Sequence, residues 1–377
     1  MAGPGRQCAG IVRGMNAAAS RPEHHLSDSF SRDNPVQAVL PLVGGTPLVV
    51  MPVVINGVHG RVLAKYEALN FTGSIKDRMA AWILAQAYES GAIQPGDEIV
   101  EASSGNTAIA FAAIGRALGH PVRIYMPDWM SAERKALLTQ FGAELCLVTH
   151  EQGGFVGSIA MAAERARTQP HVFQPLQFAN QANVVAHERT TGVELVRQLA
   201  SAQIAPDAFV AGVGTGGSVM GIGRTLRAQW PTMTCHPMEP AESPVLTLGC
   251  KSGNHRIQGV SDEFVPAIVK LDELDAIVAV NDGDAILMAQ RLSRESGLGV
   301  GISSGANFIA ALKLILRLGA GSNASDGTVP TVVTLFPDSN KKYLSTGLFR
   351  EEPLQPHYLS HAVQLSRWST ISGCLCD

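Results

Sequence analysis

Between Pro41 and Phe336 the sequence alternates short apolar runs with helical stretches, and this alternation constrains the fold more than any other feature. The runs predicted as strands are 61–65, 98–101, 122–126, 144–148, 208–212, 234–238, 276–280 and 331–336. Predicted helices between them include 77–89, 106–118, 132–141, 217–229 and 282–296. Such alternation is typical of parallel strands joined by crossover helices. The sequence therefore predicts an α/β fold with two doubly wound lobes and mostly parallel sheets.

The stretch 178–188 lacks apolar periodicity and separates two groups of strands, so we place the lobe junction there. The predicted organisation is a disordered leader over 1–40, an N-terminal lobe over 41–180, a C-terminal lobe over 181–350 and a tail over 351–377. Residues 41–76 are expected to pack partly on the second lobe. A Gly-, Ser- and Asn-rich stretch at 319–327 predicts a surface loop before the last strand.

Composition excludes several classes of function. The formal net charge of -3 gives no electrostatic reason to expect nucleic acid or an anionic membrane as a partner. No apolar run approaches the roughly 18 residues typical of a membrane span. The six cysteines are scattered, and no Cys-x-x-Cys pair or histidine cluster predicts a metal site. We expect small-molecule chemistry in a reducing compartment, the cytoplasm.

The first 35 residues carry Arg6, Arg13, Arg21 and Arg32, with no acidic residue before Glu23. This composition faintly resembles an organelle transit peptide, which leaves an organellar location as the alternative. A disordered leader, or translation that begins at Met15, is the favoured interpretation.

Lys76 follows a Gly-Ser turn and stands immediately before a predicted helix. A desolvated lysine amine in that position can condense with an aldehyde. Three further segments, 103–107, 212–218 and 301–305, supply what a bound pyridoxal phosphate would need. All four are predicted where strands end and helices begin, which is where α/β sheets bind ligands. The alternative for Lys76 is a solvated side chain, which a helix N-terminus disfavours.

The glycine-rich segment 212–218 can hold a phosphate through backbone amides and the dipole of the following helix. The same residues spell G-x-G-x-x-G, and Glu239 ends the next predicted strand, where a ribose-binding acid would lie. A nicotinamide oxidoreductase is therefore the alternative outside the lyases. Glycines that merely allow tight helix packing are the structural alternative.

Together, the four segments in this order resemble the cysteine synthase and cystathionine β-synthase family, which are fold type II pyridoxal phosphate enzymes with a tryptophan synthase β-like fold. The resemblance covers roughly residues 40–350. It implies that Lys76 forms the internal Schiff base. It also implies a phosphate-binding loop made of Gly214, Thr215, Gly216, Gly217 and Ser218.

The resemblance assigns the remaining contacts as well. Asn106 would donate to the phenolic oxygen of the cofactor, and Ser303 would meet the pyridine nitrogen, with Ser304 as the fallback. Gln177 would join the substrate-binding loop in holding the substrate carboxylate. That loop consists of Ser103, Ser104, Gly105, Asn106 and Thr107. Helix capping is the structural alternative for Asn106, Ser303 and Ser304.

The expected chemistry follows from a hydroxyl at the ring nitrogen. A hydroxyl cannot enforce protonation of the ring as a carboxylate would, so the ring is a weaker electron sink and prompt loss of a C3 leaving group is favoured over transamination. Lys76, once displaced, is the natural general base at the α-carbon.

Two segments depart from the cysteine synthase pattern. Gly259-Val260-Ser261-Asp262-Glu263-Phe264 stands where those enzymes usually carry Gly-Ile-Gly-Ala-Gly-Phe, and Gln181 stands where a proline is usual. Acidic side chains at the entrance would repel bisulfide and attract an amino-bearing partner, whereas solvent-facing acids would do neither. These changes leave the cofactor chemistry intact and leave the second substrate open.

The function predicted from the sequence is β-replacement on O-acetylserine or O-phosphoserine with sulfide, through an aminoacrylate, to give L-cysteine. The alternatives are an amine nucleophile, which would give a diaminopropionate precursor, and serine or threonine deamination. The family also implies a homodimer and a possible serine acetyltransferase partner. A non-catalytic partner protein is disfavoured because Lys76 is intact.

Overall fold

The computed structural model describes residues 29–261, 263–321 and 329–373. Its strands are β1 Leu48–Ile55, β2 Val58–Tyr66, β3 Glu98–Ala102, β4 Val122–Pro127, β5 Glu144–Val148, β6 Val172–Phe173, β7 Ala208–Gly212, β8 Thr234–Pro240, β9 Val278–Val280, β10 Thr331–Phe336, β11 Val363–Leu365 and β12 Ser369–Ile371. Its helices are α1 Lys76–Ser90, α2 Asn106–Ala117, α3 Ala132–Gln140, α4 Gly154–Thr168, α5 Ala182–Arg189, α6 Thr191–Ser201, α7 Gly217–Gln229, α8 Val245–Leu248, α9 Asp282–Ser296 and α10 Ile302–Gly321.

The described strands form two sheets. The large sheet has eight strands in the order β11-β1-β2-β10-β7-β8-β9, with β12 also paired to β1. The small sheet has the order β5-β4-β3-β6, and all its pairs are parallel. In the large sheet only the pairs that involve β1 are antiparallel. The predicted class, α/β with mostly parallel sheets, is confirmed.

Strand β1 was not predicted, because Pro52 interrupts its apolar run. Proline has no N–H to donate to a ladder, so it is tolerated only where that donor is not needed. Here β12 pairs with residues 48–50 and β11 with residues 53–55, so Pro52 lies in the gap between the two. The tail over 351–377, in which no strand was predicted, thus supplies two strands to the edge of the large sheet.

The prediction of a disordered leader over 1–40 is wrong for its last residues, which are folded. Val36 and Leu40 lie in short 3-10 turns and are buried in the same core as α1. Asn34 caps the first turn by accepting from Val36 N at 3.1 Å, and it donates to Ala85 O at 2.9 Å. The segment is too short for its apolar residues to show a helical or strand period, so no signal of structure is present in the sequence there. Residues 1–28, and residues 322–328 of the predicted loop, lie outside the described residues.

Helix α5 contacts both lobes. Ala182 and Ala186 pack in the core of the small sheet, whereas Val184 packs in a core of the large sheet. Helix α5 lies within the predicted junction, but it belongs to both cores, so no single residue there separates the lobes. Because α5 is apolar on two faces, it lacks the one-sided apolar pattern by which helices are predicted from sequence, and the stretch was predicted as a junction instead.

A network of buried charges ties α1 to the large lobe. Arg78, which is fully buried, contacts Glu67 through Nε at 2.6 Å and Glu194 through Nη1 at 2.6 Å. Lys65, also fully buried, lies 2.7 Å from Glu194 and donates to Gln198 at 2.9 Å. The two cations hold the pKa of Glu194 below its usual range despite its burial, so the network stays charged.

Among the described residues one helix, over Ile302–Ala320, has the length and apolar character that could cross a membrane. Of that stretch 72% is buried inside the protein, where residues such as Phe308 and Leu312 pack in the core of the large sheet. The buried core helix of a globular domain can have the same length and apolar character as a membrane span, so this helix is weak evidence for a membrane span.

Candidate active site

A cavity opens between the lobes, where β3, β7 and β10 end and helices α1, α2, α7 and α10 begin. It brings together residues from all four predicted segments, the outermost of which, Lys76 and Ser303, are 227 positions apart in the sequence. The predicted residues that line it are Lys76, Ser103, Ser104, Gly105, Asn106, Thr107, Gln177, Gly214, Thr215, Gly216, Ser218 and Ser303. Gly217 does not line it, and neither does Ser304, the fallback for the ring nitrogen.

The loop 214–218 needs its glycines because other chain segments approach it closely. A Cβ on Gly214 would lie 2.2 Å from Gly259 O, and a Cβ on Gly217 would lie 2.0 Å from Asn183 Oδ1. Gly216 has φ of +91°, a left-handed conformation that side chains disfavour. The loop leads into α7, whose first backbone N–H groups have no partner within the helix. This cradle of free amides at a helix N-terminus suits an anionic group such as phosphate.

Two residues that the sequence analysis missed support this loop. Asn183 donates through Nδ2 to Thr215 Oγ1 and to Gln177 O, both at 2.9 Å. His187 is fully buried, and its Nε2 lies 3.2 Å from Ser218 Oγ. Burial, with the nearby charges of Lys76 and Arg78, holds the pKa of His187 well below 6.5, so the ring is neutral. Only their position in the junction 178–188 could have suggested them.

Lys76 is the first residue of α1 and is half-buried. The turn before it has Gly73 at φ of +82° and is fixed by Asp77, which accepts from Thr72 N at 2.7 Å and from Thr72 Oγ1 at 2.5 Å. Burial raises the pKa of Asp77 above its ordinary value. The predicted Gly-Ser turn thus aims the lysine into the cavity.

Ser303 lines the cavity near the start of α10, whereas Ser304 is fully buried outside the lining. Ser303 is therefore better placed than the fallback. The segment 301–305 follows helix α9, which ends at Gly297 with φ of +70°, and not a strand as predicted. An isolated bridge between Val300 and Ser339 holds it beside the end of β10.

The substrate-binding loop is held by its own side chains and by Gln177. Ser103 Oγ accepts from Gly105 N at 3.2 Å and from Ala108 N at 3.3 Å. Gln177 donates through Nε2 to Ala102 O at 2.9 Å, which leaves its amide oxygen for other partners. Leu176 before it has φ of +58°, a strained conformation for a residue with a side chain.

Glu101, which the sequence analysis did not single out, lies behind this loop. It is buried, and its carboxylate accepts from Ala102 N at 2.8 Å and from Gln177 N at 3.3 Å. Burial raises the pKa of Glu101 to about 7, against the lowering effect of these backbone donors. An acidic residue at the end of an apolar strand was the available signal.

Asn106, the first residue of α2, is held by two residues of the large lobe that the sequence analysis also missed. Asn106 Nδ2 donates to Asp338 Oδ2 at 2.8 Å, and Lys342 Nζ donates to Asn106 Oδ1 at 2.8 Å. Burial raises the pKa of Asp338 and lowers that of Lys342, and each charge opposes the shift of the other.

The two segments that depart from the cysteine synthase pattern occupy different places. Glu263 is half-buried and lines a neighbouring cavity, where Lys251 Nζ lies 3.3 Å from its Oε1. Asp262 lies outside the described residues. Gln181 is exposed, does not line the active-site cavity, and precedes α5.

Glu239 is not free to bind a ribose. It is buried, and its carboxylate accepts from Leu246 N at 2.7 Å and from Thr247 Oγ1 at 2.5 Å. It therefore holds the start of α8, which removes the acid on which the nicotinamide alternative depends. No group of three or more His, Cys, Asp or Glu side chains suited to a metal ion occurs among the described residues.

The family model described as "Pyridoxal-phosphate dependent enzyme" matches residues 39–338. A cysteine synthase from Staphylococcus aureus is 39% identical over 315 residues, which are 84% of this chain and 97% of that protein. The crystal structure of a hydrogen sulfide-producing enzyme from Fusobacterium nucleatum is 49% identical, with a TM-score of 0.85, covering 89% of this chain and 98% of that one. An O-ureido-L-serine synthase structure is 31% identical, with a TM-score of 0.73, covering 87% and 99%.

Proposed function

Because the chain belongs to the pyridoxal phosphate-dependent enzymes of the cysteine synthase type, we propose that it exchanges the C3 substituent of an L-amino acid, with sulfide as one of the exchanging groups. The direction that we favour is release of hydrogen sulfide from L-cysteine. The observation that carries the proposal is the single cavity into which Lys76, the loop 214–218 and Ser303 all open.

The residues of this cavity fit pyridoxal phosphate. The cradle at Gly214 and Gly216 has no room for side chains and presents backbone donors, as a phosphate requires. Lys76 would hold the aldehyde, Asn106 the phenolic oxygen and Ser303 the ring nitrogen. When bound, the cofactor withdraws electrons from the α-carbon of the substrate, so that the α-proton and then the C3 substituent can leave.

The chain's own residues then bind the substrate and move the proton. Backbone and hydroxyl donors of 103–107 hold the substrate carboxylate, together with Gln177. Lys76 Nζ takes the proton from the α-carbon and returns it to the product. Ser303 offers the ring nitrogen a hydroxyl, which limits electron withdrawal and favours departure of the C3 group over transamination.

For L-cysteine, the C3–S bond breaks, sulfide leaves with a proton as hydrogen sulfide, and a nucleophile forms the new bond at C3. With water as that nucleophile the product is L-serine, and the atoms balance without an oxidant or reductant. The sulfide-producing enzyme, which is 49% identical, supports this direction. Glu263 does not decide it, because Lys251 offsets its charge in the neighbouring cavity.

The second candidate is the reverse use of sulfide, in which O-acetylserine loses acetate and bisulfide enters to give L-cysteine. The cysteine synthases that are 39% identical support it. The two candidates differ in the group that leaves C3, which is sulfide in the first and acetate in the second. Dimerisation and a serine acetyltransferase partner stay predictions.

The test is a pair of steady-state assays on the purified enzyme loaded with pyridoxal phosphate. One measures hydrogen sulfide released from L-cysteine, and the other measures L-cysteine formed from O-acetylserine or O-phosphoserine with sulfide. We expect the first to have the higher kcat/KM, with Lys76→Ala inactive in both. A higher value for the second would favour cysteine synthesis. Turnover of neither, with added amines consumed instead, would refute sulfide as an exchanging group.

A further inference from the structure

The side-chain amide of Asn106 lies between two opposite charges. Its nitrogen faces the carboxylate of Asp338, and its oxygen faces the ammonium of Lys342, each at 2.8 Å. Asp338 is fully buried and is itself fixed, since Tyr343 OH donates to the same Oδ2 at 2.7 Å. Asn106 is in the small lobe, whereas the other three residues follow β10 of the large lobe.

We propose that Asp338 and Lys342 are positioning residues that fix the orientation of the Asn106 amide, so that an N–H and never the carbonyl faces the cofactor. This inference rests on the proposed function, because it takes the phenolic oxygen of pyridoxal phosphate as the partner of Asn106. Neither residue touches the reacting atoms.

Electrostatics decide the orientation. If the amide were turned over, its carbonyl oxygen would face a carboxylate and its NH2 group would face an ammonium, so both hydrogen bonds would be lost and both contacts would be repulsive. An amide nitrogen carries two N–H groups. Asp338 accepts one of them, which leaves the other for the cavity that Asn106 lines. The phenolic oxygen therefore meets a donor, which stabilises its ionised form.

The charges that face Lys342 come from three directions. Asp338 and Asp77 favour its ammonium form, and Arg134 opposes it. Arg134 lines the active-site cavity and donates to Ser104 O at 3.0 Å, whereas Asp77 is fully buried next to Lys76 in sequence. Lys342 therefore has two acidic neighbours to hold it near Asn106.

The experiment is a double-mutant cycle that combines Lys342→Met with Asn106→Ala. The apo proteins are titrated with pyridoxal phosphate to obtain Kd, and the visible absorbance band of each loaded protein is recorded. We expect Lys342→Met to weaken binding by roughly five- to tenfold, as for loss of one average hydrogen bond, and to shift the band. In the Asn106→Ala background the same change should alter Kd by less than about twofold.

Two further variants separate positioning from a general effect of charge or folding. Lys341→Met removes the same charge from the exposed neighbouring residue and should leave Kd and the band unchanged. Lys342→Arg keeps a cation and should restore most of the affinity. If Lys342→Met does not fold, Lys342→Leu takes its place in the cycle, because it also removes every N–H donor from this side chain.

Equal effects of Lys342→Met with and without Asn106 would overturn the inference, as would a Lys342→Met protein with wild-type affinity and spectrum. Asn106→Ala with wild-type affinity would also overturn it, while leaving the proposed function intact. By contrast, failure of the wild-type protein to bind pyridoxal phosphate would refute the proposed function itself.

Discussion

Replacing Glu101 with Gln should change how the stability of the protein depends on pH. Glu101 is 3% exposed and lies behind the substrate-binding loop, where it accepts from Ala102 N and Gln177 N. Its surroundings contain backbone donors but no cation close enough to offset burial, and its pKa is raised to about 7. Gln has nearly the same shape and cannot titrate.

The sign follows from proton binding. An acid whose pKa is higher in the folded than in the unfolded protein binds its proton more tightly when folded, so the free energy of unfolding falls as pH rises from the unfolded pKa towards the folded one. With 4.5 for the unfolded chain and about 7 for the folded protein, Glu101 should lower the free energy of unfolding by about 2.5 kcal/mol between pH 5 and 8. The Glu101→Gln variant lacks this pH-dependent loss. Its free energy of unfolding, measured relative to that of the wild type, should therefore rise by the same amount between pH 5 and 8.

The assay is urea unfolding of the apo proteins at several values between pH 5 and 8, followed by the fluorescence of the four tryptophans. The control is Glu98→Gln on the same strand, where ion pairs with Arg123 and Arg165 hold the pKa of the glutamate below its usual range. That contribution is present above pH 4.5 and lost only at lower pH, so the control should differ from wild type by a constant amount. A constant difference for Glu101→Gln as well would refute the reasoning.

Three other predictions concern the site and its support. Lys76→Ala should abolish turnover and leave the unfolding curve close to wild type, and an unfolded variant would instead make Lys76 a structural residue. Gly217→Ala should weaken pyridoxal phosphate binding at least about tenfold in a fluorescence titration, because the new Cβ would lie 2.0 Å from Asn183 Oδ1 and displace the residue that holds Thr215. Arg78→Met should lower the free energy of unfolding in urea by about 3–5 kcal/mol, because it leaves Glu67 buried without its partner, and a loss below 1 kcal/mol would contradict that origin.

The sequence predicted the parts of the fold and site in which local signals agree. Strands such as β7 are buried on both faces and form nearly continuous apolar runs, and glycine-rich turns mark the sites of close approach. What it missed depends on contacts distant in sequence. Asp338 and Lys342 join Asn106 across more than 230 positions, and β11 and β12 are strands because they pair with β1 about 300 positions earlier. The raised pKa of Glu101 could not be predicted, because the sequence shows only an acidic residue near the end of a strand and not that it is buried.

The order of strands in the large sheet has a consequence for the synthesis of the protein. Strand β10 lies between β2 and β7, so the pair β1-β2 and the group β7-β8-β9, which are all translated earlier, are not joined in one sheet until residues 331–336 leave the ribosome. The phosphate cradle follows β7 and the lysine follows β2, so the two cofactor anchors belong to different groups of strands. The two cofactor anchors therefore come to share one continuous sheet only once β10 has been translated.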